Sequence, residues 1–541
     1  MLQAYENKIF HVTNEFTIDT RYSSRNPRSI SPVEVIEDRS ATNVRILNLN
    51  EVLNLAIRTS REYQAQKEQL YLTALTLTGS EYDFGPQFFA TSDGNIAGVV
   101  GNQASVASVN SKVGVSQLLR TGGKLSVALG NDLLRYFTFY SSSRDVRNTT
   151  INVLSVDISQ PILRGFGAND PNVERLTQDQ RNVIYAIRSF SLYQQQFALD
   201  VVDAYFALLT QKDIVRNNYR DFTNRVETTK YLEARAVDRE RVSSVDDART
   251  AELSARRDYI NSVATYLSAM DAFKLRIGVP VSERVYVEDK DLRDLIATGL
   301  IPVEIDKEAA FKICLEKQME VLNAIDRFED SKRKIRVAAD QLRTQLGIFA
   351  NASLASNKPD DYTKFDINNV VYTAGLTLDL PVDRLRERNV YRTSLINFES
   401  QIRSLGLTLD SYRDRIYRGL RTVEQARLNI LNNQESLRVA QRRVDNNAML
   451  LEAGRATIRD LREAQDSLIQ AENQLAVSHT VYLSARMGVA LNVGLVDTQP
   501  DSFWLVDQLK GKLSPKQIGT PLLRMTDEKT WPPETFLDPS I

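Results

Sequence analysis

The sequence contains very little histidine or cysteine. Its 541 residues include two histidines, His11 and His479, and one cysteine, Cys314. A single cysteine excludes an intrachain disulfide, and so few His and Cys side chains exclude a metal site built mainly from them. The nucleophile motif G-x-S-x-G and the P-loop are also missing, so we expect neither an enzyme nor a bound cofactor.

The chain also lacks an excess of charge of either sign. Its 68 Lys and Arg residues are balanced by 69 Asp and Glu residues. A nucleic-acid-binding protein typically shows a basic excess or a clustered basic stripe. We therefore expect no nucleic-acid partner.

Glycine and proline are scarce as well. The 22 Gly and 15 Pro residues make up roughly 7% of the chain, against about 12% in average proteins. Asn172 to Ile277 contains neither residue type, and Val382 to Thr498 contains no Pro. Apolar residues in the first of these runs recur at helical spacing, as in Ile184, Ile187 and Phe190. The pattern predicts long amphipathic helices, and a helix of about 60 residues would extend about 90 Å.

Two stretches have a period of two instead. They are residues 84–161 and 346–381, and each ends at a proline, Pro161 or Pro381. Together they predict about four long strands, with an additional hairpin around Thr121-Gly122-Gly123. No run approaches 18 apolar residues, so we expect no transmembrane helix.

An internal repeat organises the chain. Tyr266-Leu267-Ser268-Ala269 recurs 216 residues later from Tyr482, and Leu232-Glu233-Ala234 recurs 219 residues later from Leu451. Each half reads helix, strands, long helix, turn, helix, which predicts a mainly α, α+β fold with duplicated antiparallel coiled-coil helices. The predicted division is an N-terminal segment 1–46, a first repeat 47–280, an equatorial linker 281–304, a second repeat 305–494 and a tail 495–541.

Two interpretations of the strands remain open on this evidence. In water, a four-stranded sheet can cap the helices of a soluble coiled-coil scaffold. In a membrane, four strands cannot close alone, because the smallest single-chain barrels have eight, so strands from other subunits are needed.

Two segments resemble a known family, the trimeric outer-membrane efflux proteins or TolC-like channels. They are Val156-Asp157-Ile158-Ser159-Gln160-Pro161-Ile162-Leu163-Arg164-Gly165-Phe166-Gly167, and Leu451-Glu452-Ala453-Gly454 followed by Asp460-Leu461-Arg462-Glu463-Ala464. The similarity covers about Asn50 to Gly494. It implies a homotrimer in which four strands per subunit form a twelve-stranded barrel, continued by a helical tunnel.

The resemblance also implies a location and partners. The chain would lie in the outer membrane of a Gram-negative-type cell, in contact with its lipid, and cross the periplasm. It would dock a periplasmic adaptor (membrane fusion protein) and an inner-membrane pump, as the passive exit duct of an efflux or type I secretion system.

Three sets of site residues follow from the resemblance. Asp460 and Glu463 match acids that form cation-attracting rings at the periplasmic mouth, although the pair also fits a solvated helix face. Asp247 matches Glu463 in the first repeat, while Ser244 replaces the other acid. Leu451 and Ala456 replace the family's locking aromatic and arginine, which leaves Arg455 and Arg459 as neighbouring candidates. The other two sets are the adaptor-docking tip (Leu232, Ala234, Arg235, Leu451, Ala453, Gly454) and the strand-to-helix junction (Gln160, Pro161, Gly165, Gly167, Pro381).

The first residues, Met1-Leu2-Gln3-Ala4-Tyr5-Glu6-Asn7-Lys8, show no signal peptide. Because an outer-membrane protein must be exported, we expect the chain to be mature or to begin downstream of its true start.

Overall fold

The computed structural model describes residues 18, 32–39, 44–98, 104–138, 147–236, 242–356, 364–380 and 382–497. The chain divides into two compact units, each made of separate segments. The first unit comprises Met1–Gln69, Arg188–Leu322 and Thr408–Ile541. The second comprises Leu70–Ile187 and Asn323–Leu407.

Long helices dominate the described residues, as the scarcity of Gly and Pro predicts. Two of them contain 66 and 68 residues. The helices are α1 Pro32–Arg39, α2 Leu49–Thr59, α3 Arg61–Asp83, α4 Pro171–Ala236, α5 Val242–Ile277, α6 Lys290–Thr298, α7 Lys307–Lys317, α8 Met319–Asp340, α9 Leu385–Glu452 and α10 Ile458–Val493.

The strands fall into two sheets. In the first unit, β1 (Val44–Leu47) pairs in parallel with β6 (Arg284–Val287). In the second unit, six antiparallel strands follow the order β2-β3-β4-β5-β7-β8. These strands are β2 Gln87–Gly98, β3 Ala104–Leu118, β4 Lys124–Thr138, β5 Arg147–Pro161, β7 Gln345–Ala355 and β8 Val371–Asp379.

The helices confirm the duplication. Helices α5 and α10 both contain 36 residues and begin 216 positions apart. Each is followed by a left-handed glycine, Gly278 at φ +78° and Gly494 at φ +80°. A one-residue break also recurs, because Ser60 separates α2 from α3 and Gln318 separates α7 from α8.

These repeated breaks and glycines meet in the first unit. A Cβ atom added to Gly278 would lie 2.0 Å from the carbonyl oxygen of Thr59, and one added to Gly494 would lie 3.0 Å from the nitrogen of Gln318. Helix α3 therefore begins beside the end of α5. This is the end-to-end stacking that the short return helices predict.

The core of the first unit explains the scarce reactive residues. Cys314 is fully buried in a cluster with Ile416 and Tyr482, and burial raises the pKa of its thiol to about 12. Burial also lowers the pKa of the partly buried His479, and His11 lies outside the described residues. Cys314 therefore acts as a small packing residue.

The strand count corrects one expectation. The sheet has six strands where about four were predicted, because residues 84–161 form four strands rather than two. The hairpin predicted at Thr121-Gly122-Gly123 is present, and its turn joins β3 to β4. The β2 and β3 sequences are rich in Ser, Asn and Gly, whose side chains give only a weak alternating signal.

Candidate functional site

One face of the six-stranded sheet is apolar and exposed. Side chains alternate between the faces of a strand, and the register carries this alternation across all six strands. Phe88 on β2 is 80% exposed, and Leu376 and Leu378 on β8 are 68% and 60% exposed. Exposed apolar side chains on the same face in the strands between them are Val109, Val113, Val127, Leu129, Leu154, Val156, Ile158 and Ile348.

The opposite face carries polar and charged side chains. Asp157 and Asn351 are paired in the β5–β7 register and hydrogen bond to each other. Other members are Asn110, Lys112, Asp132 and Thr373. A sheet with one apolar and one hydrophilic face, both open to solvent, is typical of a wall between lipid and water.

A single polar row crosses the apolar face. The Ser92 and Ser111 hydroxyls hydrogen bond at 2.9 Å, and the Asn131 amide donates to Asn152 at 2.5 Å. These groups therefore satisfy one another across the strands. This lowers the cost of placing them on an apolar surface.

The strand-to-helix junction packs against the β3–β4 turn. The Gln160 amide donates to the carbonyl oxygen of Thr121 at 2.9 Å, and the Thr121 hydroxyl donates back to the Gln160 amide oxygen at 2.7 Å. The Gly167 N–H also donates to the Thr121 carbonyl at 3.0 Å. A Cβ atom on Gly122 would lie 2.4 Å from the Gly165 carbonyl oxygen, so only glycine fits there.

The junction then turns the chain into α4. Gly165 and Gly167 have φ angles of +78° and +63°, which favour glycine. The Gly165 N–H donates to the buried Asp340 carboxylate at 2.7 Å. Pro161, which has no N–H to donate, is the last residue of β5 and is paired in register with Gly347. Pro381 lies outside the described residues.

The tip consists of the turns that join the long helices of each repeat. Leu232 and Leu451 are buried together with Ile458 and Leu461. Gly454 has the predicted left-handed conformation, with φ +69°. The Gly454 N–H donates to the Leu451 carbonyl and the Arg455 N–H to the Leu450 carbonyl, which is a Schellman motif ending α9.

The first turn is built differently. Arg235, which occupies the position matching Gly454, lies inside α4, which continues to Ala236. Its guanidinium donates to the Tyr231 hydroxyl at 2.7 Å. The three additional residues of the first repeat therefore extend the helix, and residues 237–241 lie outside the described residues.

The two predicted gate acids have local partners. The Asp460 carboxylate accepts from the Thr457 backbone N–H at 2.9 Å and from the Thr457 hydroxyl at 2.7 Å, forming a capping box at the start of α10. These hydrogen bonds hold the pKa of Asp460 below its usual value. Glu463 forms an ion pair with Arg443 at 2.7 Å.

The other predicted tip residues lie at the surface. Arg455, Arg459, Ala234 and Ala453 are exposed, and Asp247 is partly exposed. The positive charge of Arg459 helps to lower the pKa of Asp460. The structure thus groups Arg459 with the acids, whereas Arg455 takes part through its backbone in the turn.

Two participants were not predicted. Thr457 precedes Asp460 with the Thr-x-x-Asp spacing of a capping box, so the sequence did carry this signal. Arg443 is 20 residues from Glu463, across the tip turn, and no local pattern reveals such a pair.

Solved structures share this fold. No protein-family model and no curated protein matches the chain. The outer-membrane protein VceC from Vibrio cholerae superposes with a TM-score of 0.61 at 13% identity, covering 82% of this chain and 96% of VceC. The Campylobacter jejuni CmeC outer-membrane channel gives 0.60 at 13% identity, covering 84% of this chain and 87% of CmeC. The open-state Neisseria gonorrhoeae MtrE outer-membrane channel gives 0.60 at 12% identity, covering 82% and 88%.

The chain therefore has the fold of the TolC-like outer-membrane channels, which confirms the resemblance at the level of architecture. In the described part of the chain, no helix is long and apolar enough to cross a bilayer.

Proposed function

We propose that the protein is a passive exit duct of the outer membrane. The observation that carries this proposal is the exposed apolar face of the six-stranded sheet. A soluble monomer rarely exposes a contiguous apolar patch larger than a few hundred Å². Six adjacent strands with apolar residues on one face and polar residues on the other suit a barrel wall, with lipid outside and an aqueous lumen inside.

The sheet also calls for partner subunits. Its six strands have two free edges in the described structure, and open edges are not tolerated in hydrocarbon. A homotrimer, the state that the family resemblance implies, supplies further strands. The channel folds of VceC, CmeC and MtrE support this assembly.

The tip is the proposed docking surface for a periplasmic adaptor, which would link the duct to an inner-membrane pump. Leu232 and Leu451 stabilise the two turns from inside, while Ala234 and Ala453 present small side chains at the surface. Small surface residues allow close approach by a partner helix. Whether the pump serves efflux or type I secretion depends on the partner.

Asp460 and Glu463 are the proposed selectivity residues. The hydrogen bonds from Thr457 keep Asp460 ionised at neutral pH. Three copies of this pair around a narrow mouth would concentrate negative charge and favour cations.

The decisive experiment begins with fractionation. We expect the full chain in outer membranes, as a heat-sensitive trimer in detergent that conducts ions in planar bilayers. The rival function, a soluble coiled-coil scaffold, predicts a detergent-independent protein without conductance, and that result would remove the proposal.

Bilayer recordings also test the gate. Asp460→Asn with Glu463→Gln should reduce cation selectivity, because both charges disappear while hydrogen-bonding capacity remains. Glu399→Gln, at an exposed acid on α9, is the matched control and should leave selectivity unchanged. Equal selectivity in all three proteins would remove the gate assignment and leave the duct function standing.

A further inference from the structure

The additional hairpin β2–β3 changes how copies of the chain can join. We propose that β2 of one copy pairs with β8 of the next, so that three copies close a wall of eighteen strands. We call β2 and β8 the seam strands. This inference rests on the proposed outer-membrane function, and it replaces the twelve-stranded wall that four strands per chain would give.

The hairpin is a full part of the sheet. All 12 residues of β2 have register partners in β3, and all 15 residues of β3 have register partners in β4. A strand that crosses a membrane needs about 9 to 11 residues. Both strands are therefore long enough to cross beside the other four.

The hairpin also continues the apolar face. Phe88 and Val113 are exposed on the same face as Val127 and Val156 on the central strands. A hairpin folded into an aqueous lumen would gain nothing from this pattern. In the wall, the same side chains face lipid.

A second similarity links this hairpin to β7–β8. Phe89 is paired with Gly114 on the polar face, and an added Cβ atom at Gly114 would lie 2.8 Å from the Phe89 ring. Phe349 is paired with Gly375 in the same way, at 2.7 Å. An aromatic ring covering a cross-strand glycine is a known way to stabilise a curved sheet. The first and last hairpins of the sheet thus share one construction.

The edges of the seam strands are unprotected. Natural edge strands usually carry Lys, Pro or bulges that block further pairing. Neither Gln87–Gly98 nor Val371–Asp379 contains Lys or Pro. Open backbone groups without such protection indicate that a strand from another copy covers them.

The direction of the seam strands fits this pairing. Six strands in an antiparallel meander leave β2 and β8 running in opposite directions. Gln87 begins β2 just after α3, and Asp379 ends β8 just before α9, so both lie at the helix end of the sheet. Neighbouring copies in a ring can therefore pair these strands antiparallel. With the helix ends level and the apolar faces matched, Phe88 lies opposite Leu378.

The predicted barrel is wider than a twelve-stranded one. Barrel diameter grows roughly linearly with strand number, so eighteen strands give a diameter about 1.5 times larger. The additional hairpin would therefore set the width of the opening through the outer membrane.

Disulfide trapping in outer membranes tests the seam. Cys314 is first replaced by Ala, and Leu378→Cys is then combined with Phe88→Cys or with Ala90→Cys, which covers two registers. Directly opposed residues in an antiparallel pair have Cα atoms about 4.5 to 5.5 Å apart, within disulfide range. We expect oxidation to give cross-linked dimers and trimers for at least one of these pairs. Phe89→Cys with Leu378→Cys is the matched control and should not cross-link, because the two side chains lie on opposite faces.

A competing pair distinguishes the alternatives. If only β4, β5, β7 and β8 formed the wall, Leu125→Cys with Leu378→Cys would cross-link instead, and the eighteen-stranded wall would be wrong. A heat-sensitive membrane trimer without any seam cross-link would also overturn it, with the duct function intact. A soluble protein without trimers would remove both proposals. Should the cysteine variants fail to assemble, the barrel diameter of the unmodified trimer, measured by electron microscopy, decides between twelve and eighteen strands.

Discussion

The two repeats of the chain are nearly identical in their return helices and different in their strands. Helices α5 and α10 have the same length and the same left-handed glycine at the end, whereas the first repeat contributes four strands to the six-stranded sheet and the second contributes two. The helical part is constrained because each return helix must meet a break at a fixed position. Strands can be added in pairs, because a hairpin brings the chain back to the end of the sheet where it started.

The largest expected effect concerns the glycines at these helix ends. Gly278→Ala should reduce the free energy of unfolding by about 2 to 5 kcal/mol, because the new Cβ combines a left-handed φ with a backbone collision. Gly494→Ala should cost only about 1 to 2 kcal/mol, since its closest contacts are near 3.0 Å. Thermal unfolding followed by circular dichroism checks both. Equal losses would mean that the two stacked joints are equally tight.

The tip turns should respond to glycine in opposite ways. Gly454→Ala should cost about 1 to 2 kcal/mol through the strained φ, because nothing lies within 4 Å of the new Cβ. Arg235→Gly, at the matching position of the first repeat, should also destabilise, by about 1 kcal/mol, because it places glycine inside a helix. The same thermal measurement applies. A stabilising Arg235→Gly would show that the first turn prefers the geometry of the second.

The capping box exists only in the second repeat, since Ser244 and Arg241 replace Asp460 and Thr457 in the first. Thr457→Val should cost about 1 kcal/mol of helix stability. It should also raise the pKa of Asp460 toward its ordinary value, because the hydroxyl donor is lost.

The lowered pKa of Asp460 in the folded protein means that its contribution to stability is complete above the unfolded pKa and is lost as pH falls through the folded pKa. Carboxyl titration by NMR on wild type and Thr457→Val checks this prediction. Asp460 titrating alike in both proteins would contradict it.

The smallest effect concerns the two aromatic-glycine pairs of the sheet. Phe89→Leu and Phe349→Leu should each lower the dissociation temperature of the trimer, as expected for cross-strand pairs worth about 0.2 to 1 kcal/mol. Phe88→Leu is the control, because its side chain lies on the exposed apolar face. A loss at Phe349 alone would separate the additional hairpin from the rest of the wall.

Much of this architecture was readable from the sequence, for identifiable reasons. Missing helix breakers predicted the long helices, the spacing of 216 predicted the matching return helices, and Gly454 predicted the left-handed turn. The strand number was underestimated because Ser, Asn and Gly on β2 and β3 hide the alternation that the register makes visible.

The electrostatic partners at the tip were less accessible. Asp460 and Glu463 were selected by resemblance, but the ion pair between Glu463 and Arg443 depends on how two helices meet at the turn. Sequence spacing carries no information about such contacts. The role of these acids at the mouth stays a prediction.

The contact between the β3–β4 turn and the strand-to-helix junction has a consequence for how this sheet can evolve. Gly122 and Gly123 are held against Gly165 and Gln160, so insertions at this end of the hairpin would dislodge the entry to α4. Changes in strand length must therefore accumulate at the opposite end of the sheet. Related chains should differ there in length while keeping the two glycines and Gln160 fixed.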